Sequence, residues 1–112
     1  MTEILQRWDD GNVTTLTLDD DARLNALSDA MLARLSEELA NIAASDARVV
    51  ILAAKGRAFC AGHDLREMQA MRQAEDGGEQ AFADLFDRCS DVMRAIRQLP
   101  QPVIAQVHGM AT

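Results

Sequence analysis

The sequence predicts an α/β fold in which strands and helices alternate around one core. Three observations carry this expectation. Val49-Val50-Ile51-Leu52-Ala53 is apolar without alternation, as in a parallel strand covered on both faces. Thr15, Leu16, Thr17 and Leu18 alternate polar with apolar, as in a strand with one buried face. Two further sets recur at intervals of three and four: Met31, Leu35, Leu39 and Ile42, then Phe82, Leu85, Phe86, Cys89, Val92, Met93, Ile96 and Leu99. Each set makes the apolar stripe of one helix.

Residues 4–8 and 13–19 read as a strand pair. Asp9-Asp10-Gly11-Asn12 is the turn between them, with Gly11 able to take positive φ. Asp19-Asp20-Asp21-Ala22-Arg23 is a polar loop, and Ser28 caps the helix that follows. Leu27 and Leu32 stand at the positions of a hydrophobic staple. The strand over 49–53 ends at Ala54-Lys55-Gly56, and a Gly-containing turn follows at Ala61-Gly62. A helix begins at Asp64 and runs to the neighbourhood of Gln73. Glu75-Asp76-Gly77-Gly78-Glu79 is a flexible, acidic break before the long helix, which Pro100 and Pro102 stop. Residues 103–107 form a last apolar strand, and His108 is a strand-end residue. No internal repeat is visible.

At 112 residues the chain is one domain at most, and 48% hydrophobic residues mark it as globular rather than disordered. No apolar run is long enough to span a membrane. The start, Met1-Thr2-Glu3-Ile4-Leu5-Gln6-Arg7, lacks the basic and apolar regions of a signal peptide, so the expected compartment is the cytoplasm. Cys60 and Cys89 have no metal-ligand or Cys-x-x-Cys spacing and read as reduced thiols. A net charge of −7 argues against a nucleic-acid surface. It leaves room for a phosphorylated ligand, where local cations decide. Lys55, Arg57 and Arg66 flank one segment of interest, although solvated surface charge is the plainer account of them.

That segment is Arg57-Ala58-Phe59-Cys60-Ala61-Gly62-His63-Asp64-Leu65. A strand that feeds a glycine turn at the start of a helix presents backbone N–H groups with no internal partner. The helix end adds partial positive charge. Such a turn suits an oxygen that becomes anionic in a transition state. Asp64 reads as a helix-start carboxylate rather than half of a His–Asp catalytic pair. Ser28, His63 and Asp64 have no spacing that supports a hydrolytic triad. Cys60 lacks the cationic setting of a nucleophile.

Phe59-Cys60-Ala61-Gly62-His63-Asp64-Leu65 resembles the oxyanion-hole segment of the crotonase superfamily, the enoyl-CoA hydratases and isomerases. Asn25-Ala26-Leu27-Ser28 resembles the early Asn-Ala-Leu element of that family, and residues 102–109 resemble the strand leading to the second half of its active site. Three motifs in this order cover most of the chain. The resemblance implies a crotonase-like ββα spiral, of which residues 1–112 are the N-terminal portion and the C-terminal part is absent. It implies that the His63 backbone N–H is one of two donors to a thioester carbonyl oxygen, with the His63 side chain a wall rather than an acid or base. Leu24 and Ala26 would line one side of a coenzyme A site, with Ala61 and Gly62 near the adenine. Asp64 and Leu65 would border the pantetheine arm, and Arg57 and Arg66 would meet phosphates. His108 stands where the family often has Asn.

The implied activity is hydration of a 2-enoyl-CoA, with coenzyme A as part of the substrate and no separate cofactor or metal. The implied assembly is a homotrimer or hexamer, without nucleic-acid or membrane partners. The catalytic carboxylates and the second donor would lie beyond Thr112. Two alternatives stay open at this level: another crotonase reaction, such as isomerisation or thioester hydrolysis, and a non-catalytic acyl-CoA-binding or scaffold protein.

Overall fold

The computed structural model describes residues 3–112. In chain order the elements are β1 (Leu5–Asp10), β2 (Val13–Leu18), a 3₁₀ turn (Asp21–Arg23), α1 (Asp29–Ala43), β3 (Val49–Ala54) and β4 (Ala58–Cys60). Then follow α2 (Leu65–Met71), α3 (Glu79–Gln98), β5 (Val103–Ala105) and β6 (Met110–Ala111). One sheet has the order β1-β2-β3-β5, and β4 and β6 form a separate pair. β1 and β2 are antiparallel, whereas β2, β3 and β5 run parallel.

The β1–β2 hairpin is tighter than expected. Asp9 and Asp10 belong to β1, and only Gly11 and Asn12 make the turn. Gly11 holds φ 61 at the first of the two central positions, where a two-residue hairpin can require glycine. The Asp9 carboxylate accepts from the Thr14 hydroxyl at 2.7 Å and from Arg7 Nε at 3.2 Å, which keeps it in the strand.

α1 starts as its sequence dictates. Ser28 is extended, and its Oγ accepts from the Met31 N–H at 3.2 Å. Met31, Leu32, Leu35, Leu39 and Ile42 are all buried. They face the sheet side that carries Leu5, Leu16, Leu18 and Val50, and Leu85 and Val92 of α3 complete the same core.

The expectation of two covered faces for β3 fails. Register places Thr14 beside Val50, Leu16 beside Leu52 and Leu18 beside Ala54 on the core face. The opposite face carries Val49, Ile51 and Ala53, only half-buried, with Trp8 at 70% and Ile104 at 56% exposed. β3 pairs in parallel on both edges, but among the described residues the core lies against one of its faces only.

β4 and β6 were not foreseen. Each is too short to show a period, and flanking glycines make β4 look like part of a turn. The last strand of the main sheet is also shorter than expected. After the Gln106 N–H bonds to Leu52 O at 2.8 Å, the chain leaves that sheet and pairs with β4 instead. Gly109 permits the crossing: a Cβ there would lie 2.6 Å from the Arg57 carbonyl oxygen, and its φ is 61.

The acidic Gly-rich break is a capping turn. Gly78 precedes α3 with φ 94, and the Asp76 carboxylate accepts from the N–H groups of Gly78 at 2.9 Å and Gln80 at 3.1 Å. Those backbone donors, Gln80 foremost, hold the Asp76 carboxyl below its ordinary pKa. α3 buries Leu85 and Val92 but leaves Phe86 48% and Met93 41% exposed, so its wide apolar stripe is covered on one side only. Beyond Pro100, the buried Gln101 turns back and donates from Nε2 to Ile42 O at 2.9 Å, joining the Ser45 N–H and hydroxyl on that carbonyl and tying the chain to the end of α1. Among the described residues no helix is long and apolar enough to cross a membrane.

Met31 is fully buried at the centre of this packing. Met31→Ala should cost about 2–5 kcal/mol of unfolding free energy, whereas Trp8→Ala, on the open face, should stay within about 0.5 kcal/mol of the parent. Denaturant unfolding monitored by circular dichroism checks both.

Candidate active site

The turn between β4 and α2 is built on one glycine and one carboxylate. Gly62 holds φ 85, and a Cβ there would come 2.7 Å from Thr112 Oγ1. Asp64 caps α2, accepting from the N–H groups of Arg66 at 3.0 Å and Glu67 at 3.3 Å. Its other oxygen meets Arg23 Nη1 at 2.7 Å, and the same guanidinium reaches Glu67 at 3.3 Å. Glu67 in turn accepts the Asp29 N–H at 2.9 Å. The start of α2 is thereby latched to the 3₁₀ turn and to the start of α1. Asp64 is thus the helix-start carboxylate that its position implied.

A second connection comes from Asn25, which is 0% exposed. Its Oδ1 accepts the Asp20 N–H at 2.7 Å, and its Nδ2 donates to Lys55 O and Ala58 O, each at 2.8 Å. Leu24 and Asn25 both lie in the left-handed region, at φ 53 and 55. For Leu24 this costs about 1–2 kcal/mol, while asparagine adopts the region more readily; such a pair is tolerated where the surroundings over-determine the conformation. Leu24 O accepts the Ala61 N–H at 3.1 Å, and Gly62 O accepts the Leu27 N–H at 2.7 Å. The segment from Leu24 to Leu27 and the turn from Ala61 to His63 therefore lie zipped side by side.

A cleft of ≈ 260 Å³ opens beside this zipper. Leu24, Ala26, Ala61, His63, Asp64, Leu65 and Arg66 all line it. Gly62 forms the bend behind His63. Arg57 lies elsewhere: its N–H donates to Asp21 Oδ1 at 3.1 Å and its Nε to the same oxygen at 3.4 Å. These contacts, the Arg57 backbone N–H first, hold the Asp21 carboxyl below its ordinary pKa. Ala22 and Arg23 complete the lining and were not singled out from the sequence. The only available signal for Arg23 was one cation closing a run of three aspartates.

Among the described residues the His63 backbone N–H has no hydrogen-bond partner. The His63 ring meets Phe86 of α3 edge-on, centroids 5.5 Å apart and planes at 68°, with Nδ1 buried and unpartnered. The imidazole is thus a packed wall. Cys60 lies beneath, its Sγ accepting the Gly62 N–H at 3.4 Å, and burial pushes its thiol pKa up. That shift favours the neutral thiol and disfavours a nucleophilic role. His108 does more than end a strand: its Nε2 is 2.8 Å from Gly56 O, tying the return to β6 against the β3–β4 turn.

Removing the Asp64 carboxylate deletes a cap and an ion-pair partner together. Asp64→Ala should lower stability by about 1–2 kcal/mol, and Asp64→Asn, which keeps a capping oxygen, should lose less. Thermal unfolding of the two variants beside the parent tests the order.

Residues 13–112 match the family model described as enoyl-CoA hydratase/isomerase. The Mus musculus protein named enoyl-CoA hydratase domain-containing protein 3, mitochondrial, is 39% identical over 107 residues, 95% of this chain and 34% of that protein. The Escherichia coli protein named 1,2-epoxyphenylacetyl-CoA isomerase is 36% identical over 114 residues, 99% of this chain and 42% of that protein. Among solved structures, an enoyl-CoA hydratase from Mycobacterium smegmatis superposes with a TM-score of 0.88 at 48% identity, over 96% of this chain and 41% of that one. The chain therefore spans well under half the length of these relatives, and its α/β architecture is that of the N-terminal portion of crotonase structures. By its motifs, its fold and these matches, the chain belongs to the enoyl-CoA hydratase/isomerase family of the crotonase superfamily.

Proposed function

We propose that this chain contributes the coenzyme A-binding half of an acyl-CoA hydratase site, with the His63 N–H as the first of two donors to the thioester oxygen. One observation carries the reading: a backbone N–H without a partner, on a residue that lines a cleft, directly after two amides, Ala61 and Gly62, that are bonded. Hydration of a conjugated thioester develops negative charge on the carbonyl oxygen. A fixed donor aimed at that oxygen is worth roughly 2.7–4 kcal/mol of barrier in other enzymes. Coenzyme A enters as part of the substrate, and the chemistry calls for no further cofactor. A second reading, isomerisation of an acyl-CoA, draws support from the relative named 1,2-epoxyphenylacetyl-CoA isomerase. Both reactions use the same oxygen and differ in the groups that move protons.

Phosphate recognition falls first to Arg66, which lines the cleft. Arg57 must exchange its Asp21 contact before it can serve. In the protein at its natural length, Arg66→Glu should therefore weaken binding of an acyl-CoA more than Arg57→Glu, and both losses should grow at low salt. Calorimetry giving unchanged affinity for both variants would reject the phosphate role.

The second donor and the acid/base carboxylates are assigned, by resemblance, to sequence beyond Thr112. Residues 1–112 alone should then show no hydration of crotonyl-CoA, because proton-transfer groups contribute typically 10²–10⁴-fold. Full activity from these residues, assayed beside the natural-length protein, would place the catalytic centre within residues 1–112 and overturn that assignment. Assembly as a homotrimer or hexamer completes the reading, and a monomeric mass for the natural-length protein by light scattering would contradict it.

A further inference from the structure

We propose that Asn25 is the positioning residue for the oxyanion donor, acting through the backbone of the β4–α2 turn without touching substrate. The inference rests on the acyl-CoA function proposed above. Among the described residues no peptide bond is cis, so the Gly62–His63 peptide is planar and trans, and its C=O and N–H point in opposite directions. The Gly62 carbonyl accepts the Leu27 N–H at 2.7 Å. That bond aims the His63 N–H away from Leu27. One residue earlier, the Ala61 N–H is bound to Leu24 O at 3.1 Å. The direction of the donor is thus set by a template, Leu24 to Leu27.

Backbone hydrogen bonds from Leu24, Asn25 and Ala26 tie the template to the 3₁₀ turn before it, but none of these joins it to β3 or to the start of β4. Two consecutive non-glycine residues in it are left-handed, at φ 53 and 55. Asn25 holds it by three hydrogen bonds of 2.7–2.8 Å, to Asp20 N–H on one side and to Lys55 O and Ala58 O on the other. Lys55 directly follows β3 and Ala58 opens β4. The carboxamide therefore fixes the spacing between the template and the strand that delivers Gly62 and His63. Asn25 itself is fully buried and absent from the cleft lining. Because Asn25 makes no cleft contact of its own, loss of its side chain should misdirect the donor more than it weakens binding.

Two variants of the natural-length protein test this. Asn25→Asp keeps the acceptor for Asp20 N–H and turns a carboxylate on two carbonyls. Asn25→Gly takes positive φ freely and removes the carboxamide, so it serves if Asn25→Asp fails to fold. Thr14→Ala, at a buried position in β2 remote from the cleft, is the control for lost stability alone. The expected result for Asn25→Gly is a fall in kcat on crotonyl-CoA of about 10²-fold, the scale of a misplacement near 1 Å. KM for crotonyl-CoA and Kd for free coenzyme A should stay within about threefold of the parent, since uniform binding is untouched. The near-ultraviolet enolate absorbance of bound acetoacetyl-CoA, which reads the anion hole without turnover, should fall as well. Thr14→Ala at a matched melting temperature should keep both. An unchanged enolate band in Asn25→Gly, or a loss wholly in KM, overturns the positioning role and leaves the function standing. A parent protein that neither hydrates crotonyl-CoA nor forms the enolate overturns the function itself, and the inference with it.

Discussion

The Asn25 carboxamide makes three hydrogen bonds within the protein, and most of the site's geometry follows from them. A buried amide left unpaired costs about 1–3 kcal/mol per group, so the loop from Asp20 and the turn from Lys55 to Ala58 are obliged to converge on this side chain. That convergence sustains two left-handed residues and lays the Leu24–Leu27 segment against the glycine turn. The separation of parts is physical: Asn25 lies behind the cleft, Gly62 makes the bend, and the His63 amide is left without a partner.

Charge is organised around the same turn. The chain carries a net −7, yet Arg23 and Arg66 line the cleft, and two cations of this region, Arg23 and the more distant Arg57, are already engaged by carboxylates. Arg23 bridges Asp64 and Glu67, and Arg57 is held by Asp21. Each pair joins segments far apart in sequence and fixes a loop border more than it adds stability, as partly exposed ion pairs are weak. Among the described residues Arg66 lines the cleft without such a partner. The distribution gives the site one available cation and two that act first as fasteners.

Packing is one-sided. The core joins one face of the four-stranded sheet to the stripes of α1 and α3. The other sheet face, the Phe86–Met93 side of α3 and the β5 edge remain open. His63 leans on Phe86, so α3 stiffens the wall of the cleft even though half of its own stripe is bare.

The sequence by itself determined what local physics controls. Helical stripes, the Ser28 and Asp64 caps, the Gly11 and Gly62 turns and the alternation in β2 were legible because each depends on neighbours within a few residues. The resemblance to a family, rather than local physics, singled out seven residues that the structure places around one cleft. Only the tertiary structure decided which face of β3 is covered, since an apolar run has no period to tell its sides apart. It also decided that the chain leaves the main sheet after Gln106 to pair with β4, that Arg23 meets Asp64 across 41 positions, and that Asn25 ties three segments together. Those are pairings between distant residues, satisfied by backbone groups that every residue carries, and no local pattern of side chains encodes which of them will meet.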